Sequence, residues 1–253
     1  NFSNGLNNYF IYLSLFFLGS VLMRSAGCIV NDISDKEFDK KVERTKNRPI
    51  ASNKVSIKLG IFYTIILCSL AFLVLINFNN ITIILALCSM PLAFTYPLMK
   101  RFTYWPQLFL GITFNYGLIL GWTSVLGEIG IVPIILYLGA IFWTLGYDTV
   151  YGFQDIKDDE MIGVKSTSIK FKKNPKIFLS ICYSIFFLTI LSVGYLMNLN
   201  TIFYIFLVFT LIHLFVYQIR FFNPKNSMSC FKIFKSNNIV GLMILINILI
   251  GRI

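Results

Sequence analysis

Residues Ile61–Ile76 run for sixteen positions without one charged side chain, and seven other stretches of the 253-residue chain are built the same way. The eight runs lie at 8–30, 56–77, 81–98, 106–127, 131–154, 176–197, 201–221 and 238–252. A helix needs roughly 20 mostly apolar residues to cross a bilayer, and every run but the short last one has about that length. The runs are continuous and lack the alternation and roughly 10-residue length of barrel strands. Soluble domains of this size have too little interior for so much apolar chain. Charged residues make up 13% of this chain, against roughly 25% in a soluble domain. With 57% hydrophobic residues, disorder is excluded as well. The fold predicted is all-α: a polytopic membrane helix bundle forming a single domain over 1–253.

The connections alternate in character. Asn77–Asn80, Gly127–Gly130 and Asn198–Asn200 are short and hold one charge, Glu128. The other four connections hold twenty of the 22 basic residues. Cytoplasmic loops collect Lys and Arg, so these four are placed in the cytoplasm or its organellar equivalent. The net charge of +11 therefore reports membrane orientation, and no nucleic-acid partner is expected. Nor does any feature point to a protein partner. The five cysteines have no metal-ligand or disulfide-framework spacing. No cleavable signal peptide is visible, and the chain starts at Asn1 rather than Met, so a missing N-terminal segment is expected.

Acids on the basic side are not explained by orientation, yet ten of the eleven lie there in two groups. Asp32, Asp35, Glu37, Asp39 and Glu43 follow the first run; Asp148, Asp155, Asp158, Asp159 and Glu160 end the fifth. Asn31, Asp35 and Asp39 are spaced i, i+4, i+8, which is one face of a helix, and Asp155 and Asp159 repeat that spacing. Like charges at i, i+4 repel, and a cation between them reverses the effect. Carboxylate and amide oxygens without Cys or His suit a hard ion, Mg²⁺ or Ca²⁺. Cations suited to phosphate lie beside both groups: Arg44 and Arg48, Lys100 and Arg101, and Lys165. The competing readings are solvated acidic helix ends and a cation-coupled membrane carrier. A carrier would place acids at mid-span, whereas these lie at span ends.

The two groups also mark an internal repeat. Asn31 and Asp155 are 124 positions apart, as are Asp35 and Asp159, while Pro97 and Pro224 are 127 apart. Two pseudo-repeated four-helix halves around a central cavity would explain this, with one helix missing before residue 1. Arg24 precedes Asn31 by seven positions, and Asp148 precedes Asp155 by seven. Arg24 is expected to pair with Asp148 or to face the substrate.

Asn31-Asp32-x-x-Asp35-x-x-x-Asp39 followed by Arg44-Thr45-x-x-Arg48-Pro49 resembles the first motif of the UbiA superfamily of intramembrane aromatic prenyltransferases. The stretch Tyr147-Asp148-Thr149-x-Tyr151-x-x-x-Asp155-x-x-Asp158-Asp159-x-x-x-Gly163-x-Lys165-Ser166-Thr167 resembles the 4-hydroxybenzoate polyprenyltransferase branch, as do Met23–Cys28 and Tyr96–Thr103. Gly152 and Ser168 stand where that branch usually has alanine. The last three spans match only in being hydrophobic. The resemblance implies nine transmembrane helices, eight of them seen here, two Mg²⁺ ions and a polyprenyl diphosphate donor. It implies Asp35, Asp39, Asp155 and Asp159 as catalytic, metal-holding acids with Asn31 assisting, and Arg44, Arg48, Lys100 and Lys165 as diphosphate ligands. Arg101, with Arg24, would face the aromatic acceptor. The implied reaction joins the polyprenyl group to the ring carbon ortho to the hydroxyl of 4-hydroxybenzoate, in ubiquinone synthesis. A bacterial or mitochondrial inner membrane follows. Other members act on haem or naphthoate acceptors, and the Tyr147–Thr167 stretch argues against them.

Overall fold

The computed structural model describes residues 2–253, with side chains from Tyr9 onward. Eight helices among the described residues are long and apolar enough to cross a membrane, at Tyr9–Asp39, Ile57–Leu75, Asn80–Phe102, Pro106–Leu126, Ile131–Gly152, Pro175–Leu196, Thr201–Ile219 and Ser227–Gly251. All eight expected spans are present. Two ends differ from the sequence reading. Helix α1 (Phe2–Asp39) continues nine residues past its apolar run, because Asn31–Asp39 contains no glycine or proline to stop it. The last helix, Ser227–Gly251, begins well before residue 238, where the Asn226 side chain accepts a hydrogen bond from Ser229 N. Lys232 and Lys235 therefore lie on that helix rather than in a loop.

The chain packs as two compact units, Asn1–Pro97 with Thr123–Gly127, and Leu98–Trp122 with Glu128–Ile253. In the first, α1 packs along α2 (Ile57–Leu75), with Gly60 against Ile29, Ile33 and Ile50. Helix α3 (Asn80–Thr95) is capped by Asn79, whose side chain accepts from Thr82 N and donates to Thr123 O at 2.7 Å. A short 3₁₀ turn, Tyr96–Leu98, follows α3.

The second unit begins with the short helix α4 (Met99–Phe102) and holds most of the core. Its first span is broken into α5 (Pro106–Phe114) and α6 (Gly117–Leu126). At the break, the Asn115 side chain donates to Thr144 Oγ1 at 2.7 Å and to Gly111 O. Helix α7 (Ile131–Gly152) ends at a turn that leads into two short helices, α8 (Ile156–Ile162) and α9 (Thr167–Lys170). Along its length α7 lies against α10 (Pro175–Leu196). Gly139 and Gly146 on α7 permit that approach: a Cβ on the first would collide with Thr189 Oγ1, and on the second with Tyr183 Cε1. Membrane helices associate through small residues of this kind.

The last three spans do more than supply apolar surface. Helix α11 (Thr201–Leu211) runs on into a π-helical segment, Ile212–Ile219, that carries Gln218 into the core with no exposed surface. Tyr183 donates its hydroxyl to Gln218 Oε1 at 2.6 Å, and Gln218 Nε2 donates to Asn237 Oδ1 at 3.1 Å. Trp143 Nε1 donates to the same Asn237 oxygen at 2.8 Å. One carboxamide on α12 (Ser227–Gly251) thus joins α7, α10 and the π-helical segment. Interhelical hydrogen bonds in membranes average only about 0.6 kcal/mol, but a buried donor left without an acceptor costs about 1–3 kcal/mol. Asn237→Leu strands two donors at once. It should lower the free energy of unfolding of the detergent-solubilised protein by at least about 1 kcal/mol, measured by denaturant titration, whereas Asn238→Leu at the exposed neighbouring position should change it little.

Candidate active site

The first acid group stands on the last turns of α1. At 1.5 Å per residue its 38 residues extend roughly 57 Å, well beyond a hydrocarbon core of roughly 30 Å. The apolar part fills the membrane and the acids emerge at its edge. Burial then sorts them. Asp35 and Asp39 are 4% and 6% exposed, while the side chains of Glu37 and Glu43 are 74% and 82% exposed and pair with Lys40 and Lys46. The spacing explains the division: Asp32, Asp35 and Asp39 share one face of α1, and Glu37 points the other way.

The segment after α1 folds back on this face through successive backbone turns, including Thr45 N to Val42 O and Arg48 N to Thr45 O. Thr45 Oγ1 donates to Asp39 O at 3.2 Å. Arg48 is thereby delivered to the acids: its Nη1 lies 3.0 Å from Asp32 Oδ1 and 3.0 Å from Asp39 Oδ2. This residue was expected among diphosphate ligands, and here it joins two carboxylates seven positions apart. Asp32, a member of the first acid group, was given no role in the expected site. Its i, i+7 relation to Asp39, two helical turns on the same face, was the available signal. Asn31 is half-buried beside them, Arg44 is exposed in the loop, and Arg24 is exposed two turns earlier on α1.

The second acid group lies after the end of α7. That helix stops at Gly152, and a turn through Phe153–Asp155 leads into α8. Asp155 caps α8 in a non-helical conformation, and Asp159 N donates to Asp155 O at 2.9 Å. The i, i+4 pair is therefore kept on a separate short helix whose direction the turn sets. Both acids are half-buried, as is Asp158, while Glu160 is exposed and pairs with Lys172. Asp148 lies half-buried within α7. Gly163 ends α8 at φ 74°, a backbone conformation that favours glycine.

After Gly163 the chain is fastened to its own unit. Lys165 N donates to Lys100 O at 2.9 Å, and Lys165 Nζ reaches Phe102 O at 3.2 Å. Two of the expected diphosphate ligands are thus brought together, with Arg101 exposed on the same α4 turn. Helix α9 docks against α7: Thr149 and Thr167 hydroxyls are 2.6 Å apart, and Ser168 Oγ donates to Thr149 O at 2.8 Å. Gln107 Oε1 accepts from Thr167 N. Trp105 packs on Phe171 and Phe178 under the Lys170 ammonium.

Within neither unit, among the described residues, do three acidic, imidazole or thiol side chains form a complete metal cage. What each offers is a pair of carboxylates. That is a partial shell of the kind Mg²⁺ accepts, since this ion is usually held by one or two carboxylates with water and substrate phosphate completing it. The donor set fits the ion.

The pattern of the UbiA prenyltransferase family matches residues 2–242 of this chain. The chain belongs to the UbiA prenyltransferase family. It is 41% identical over 242 residues to the mitochondrial 4-hydroxybenzoate polyprenyltransferase of Drosophila pseudoobscura pseudoobscura, covering 95% of this chain and 61% of that one. It is 38% identical over 251 residues to the 4-hydroxybenzoate octaprenyltransferase of Photobacterium profundum, covering 98% of this chain and 86% of that one. The chain thus spans about three-fifths of the mitochondrial relative's length. Among solved structures, a UbiA homolog from Aeropyrum pernix K1 superposes with a TM-score of 0.79 at 20% identity, covering 94% of this chain and 89% of that one. A UbiA homolog from Archaeoglobus fulgidus bound to GPP and Mg²⁺ superposes at 0.69 and 17%, covering 96% and 88%. These likenesses show the UbiA fold, and the eight apolar helices make the protein an integral membrane protein.

Within the UbiA frame, Gly152 and Ser168 had looked like two unrelated departures from alanine. They touch. A Cβ on Gly152 would collide with Ser168 Oγ, an atom already fixed by its bond to Thr149 O. Gly152→Ala alone should therefore push α9 off α7 and destabilise by about 1–3 kcal/mol, the usual cost of overpacking. Adding Ser168→Ala should restore most of that loss, as read from thermal unfolding of the two single variants and the double variant. Additive losses would show that the positions are independent.

Proposed function

We propose that this UbiA family member transfers a polyprenyl group from polyprenyl diphosphate to the ring carbon ortho to the hydroxyl of 4-hydroxybenzoate, as a step of ubiquinone synthesis. What carries this reading is the shared acceptor in the names of its insect and bacterial relatives, at about 40% identity over nearly the whole chain. The chain's own acid groups support it. Asp35 and Asp39 in the first unit and Asp155 and Asp159 in the second, with Asn31 assisting, are the residues that would hold two Mg²⁺ ions. When bound, Mg²⁺ neutralises charge on the departing diphosphate. Arg48 holds Asp32 and Asp39 in register. Arg44, Lys100 and Lys165 bind diphosphate oxygens, and Arg101 binds the acceptor carboxylate. The allylic carbon–oxygen bond breaks with its electron pair leaving on the diphosphate; the ring carbon bonds the allylic cation and then loses its proton. A dry pocket keeps water from that cation. The motif side faces the cytoplasm or matrix of an inner membrane, as the basic loops favour.

The direct test incubates membranes containing the protein with labelled polyprenyl diphosphate, Mg²⁺ and either 4-hydroxybenzoate or a naphthoate acceptor. Labelled polyprenyl-4-hydroxybenzoate is expected, and Asp35→Ala or Asp159→Ala should abolish it while leaving the protein in the membrane. Product from the naphthoate alone would move the chain to another branch of the family.

Arg101→Ala separates the two substrates. A hydrogen bond to a charged group is worth about 1.5–3 kcal/mol, so KM for 4-hydroxybenzoate should rise at least about tenfold with KM for the diphosphate little changed. The reverse pattern would assign Arg101 to the diphosphate.

A further inference from the structure

Glu160 is the last acid in the chain, and ten lysines and arginines follow it. Three exposed lysines elsewhere find carboxylates: Lys40 pairs with Glu37, Lys46 with Glu43 and Lys172 with Glu160. Between the seventh and eighth spans no such partner exists in the sequence nearby. Arg220, Lys225 and Lys232 are exposed there, and none forms an ion pair among the described residues. Lys176 adds to them, because its Nζ reaches Arg220 O at 3.2 Å.

A cavity of about 340 Å³ opens beside Lys232, between the π-helical segment and the first turns of α12. Its lining divides by chemistry. Asn226, Ser229 and Lys232 supply the polar part, while Tyr217, Phe221 and Met228 supply apolar walls. Those three are 41%, 61% and 63% exposed, so they cover no core of their own chain. Asn226 Oδ1 is committed to Ser229 N, and Ser229 Oγ to Phe221 O, which fixes the polar edge and leaves Lys232 as its charged group. A small inorganic anion has no use for apolar walls beside a lysine. A molecule with an anionic head and an apolar body fits both parts, and both elements that line the cavity continue into membrane-crossing helices.

We propose that this cavity binds an anionic phospholipid, its headgroup phosphate on Lys232 and its acyl chains along Tyr217, Phe221 and Met228. Basic pockets between membrane helices take lipid headgroups in this way. The surrounding Lys176, Arg220 and Lys225 raise the local potential, and the site needs nothing from the acid groups, so it stands apart from the prenyl-transfer reading.

The test measures lipid binding to the purified full chain in neutral detergent, by native mass spectrometry, with phosphatidylglycerol or phosphatidylcholine added. The wild type should retain phosphatidylglycerol in preference to phosphatidylcholine. Lys232→Met, which keeps the apolar stem, should weaken that retention about fivefold, the effect of one lysine near a lipid surface. Lys232→Arg should keep it, Lys225→Met should weaken it in the same direction, and Lys54→Met in the exposed loop of the other unit should leave it unchanged. Equal retention of the two lipids, wild-type retention by Lys232→Met, or an equal loss in Lys54→Met overturns the proposal. Displacement of phosphatidylglycerol by millimolar inorganic phosphate alone overturns it also, in favour of a free-anion site.

Discussion

Arg48 allows three aspartates to occupy one face at the end of an apolar helix. Like charges one turn apart on a helix repel, and burial removes the water that would screen them. Two of these carboxylates are almost wholly buried. Their mutual repulsion favours a cation placed among them. The loop after α1 delivers one: its turns carry Arg48 back to 3.0 Å from both Asp32 and Asp39. One guanidinium faces three aspartates on this helix face, so acids outnumber the basic group that reaches them.

The second acid pair is held by a different device. Asp155 and Asp159 do not ride on the long helix α7 but on the short α8, re-aimed by the turn at Phe153–Asp155. Their position depends on how the chain beyond them is tied down. The Thr149–Thr167 and Ser168–Thr149 hydrogen bonds, with the close Gly152–Ser168 approach, fasten α9 to α7. Lys165 is fixed by the backbone of Lys100 and Phe102. Deeper in the same unit, the Tyr183–Gln218–Asn237–Trp143 chain holds α7 against its neighbours. An acid pair on a short helix is positioned only as well as the segments that carry it; here α9 and the α4 turn fasten the chain just beyond it, and the last three spans hold α7 itself.

The spans were legible in the sequence because a bilayer demands long apolar runs, and the acid groups because acids have no orientational reason to collect beside lysines. The helix break after Gly152 was not legible: i, i+4 spacing reads the same across a cap as within one helix. Arg48 was visible as a phosphate-type cation, but its partner choice depends on how the loop after α1 folds back, which no periodicity encodes. Gln218 and Asn237 sat unnoticed in hydrophobic spans. A lone carboxamide in an apolar run has no pattern, and only the packing shows that the two meet. Gly152 and Ser168 looked like separate substitutions because they stand sixteen positions apart in sequence.

The proposed function requires each acid pair to hold a Mg²⁺ ion when a prenyl diphosphate is bound. The most direct measurement is electron paramagnetic resonance of Mn²⁺, used in place of Mg²⁺, titrated into the purified protein with a non-reacting prenyl thiolodiphosphate. The account predicts two bound ions per chain in the wild type and one each in Asp35→Asn and Asp159→Asn, with the analogue bound more weakly in both variants. Undiminished stoichiometry and analogue affinity in either variant would contradict it.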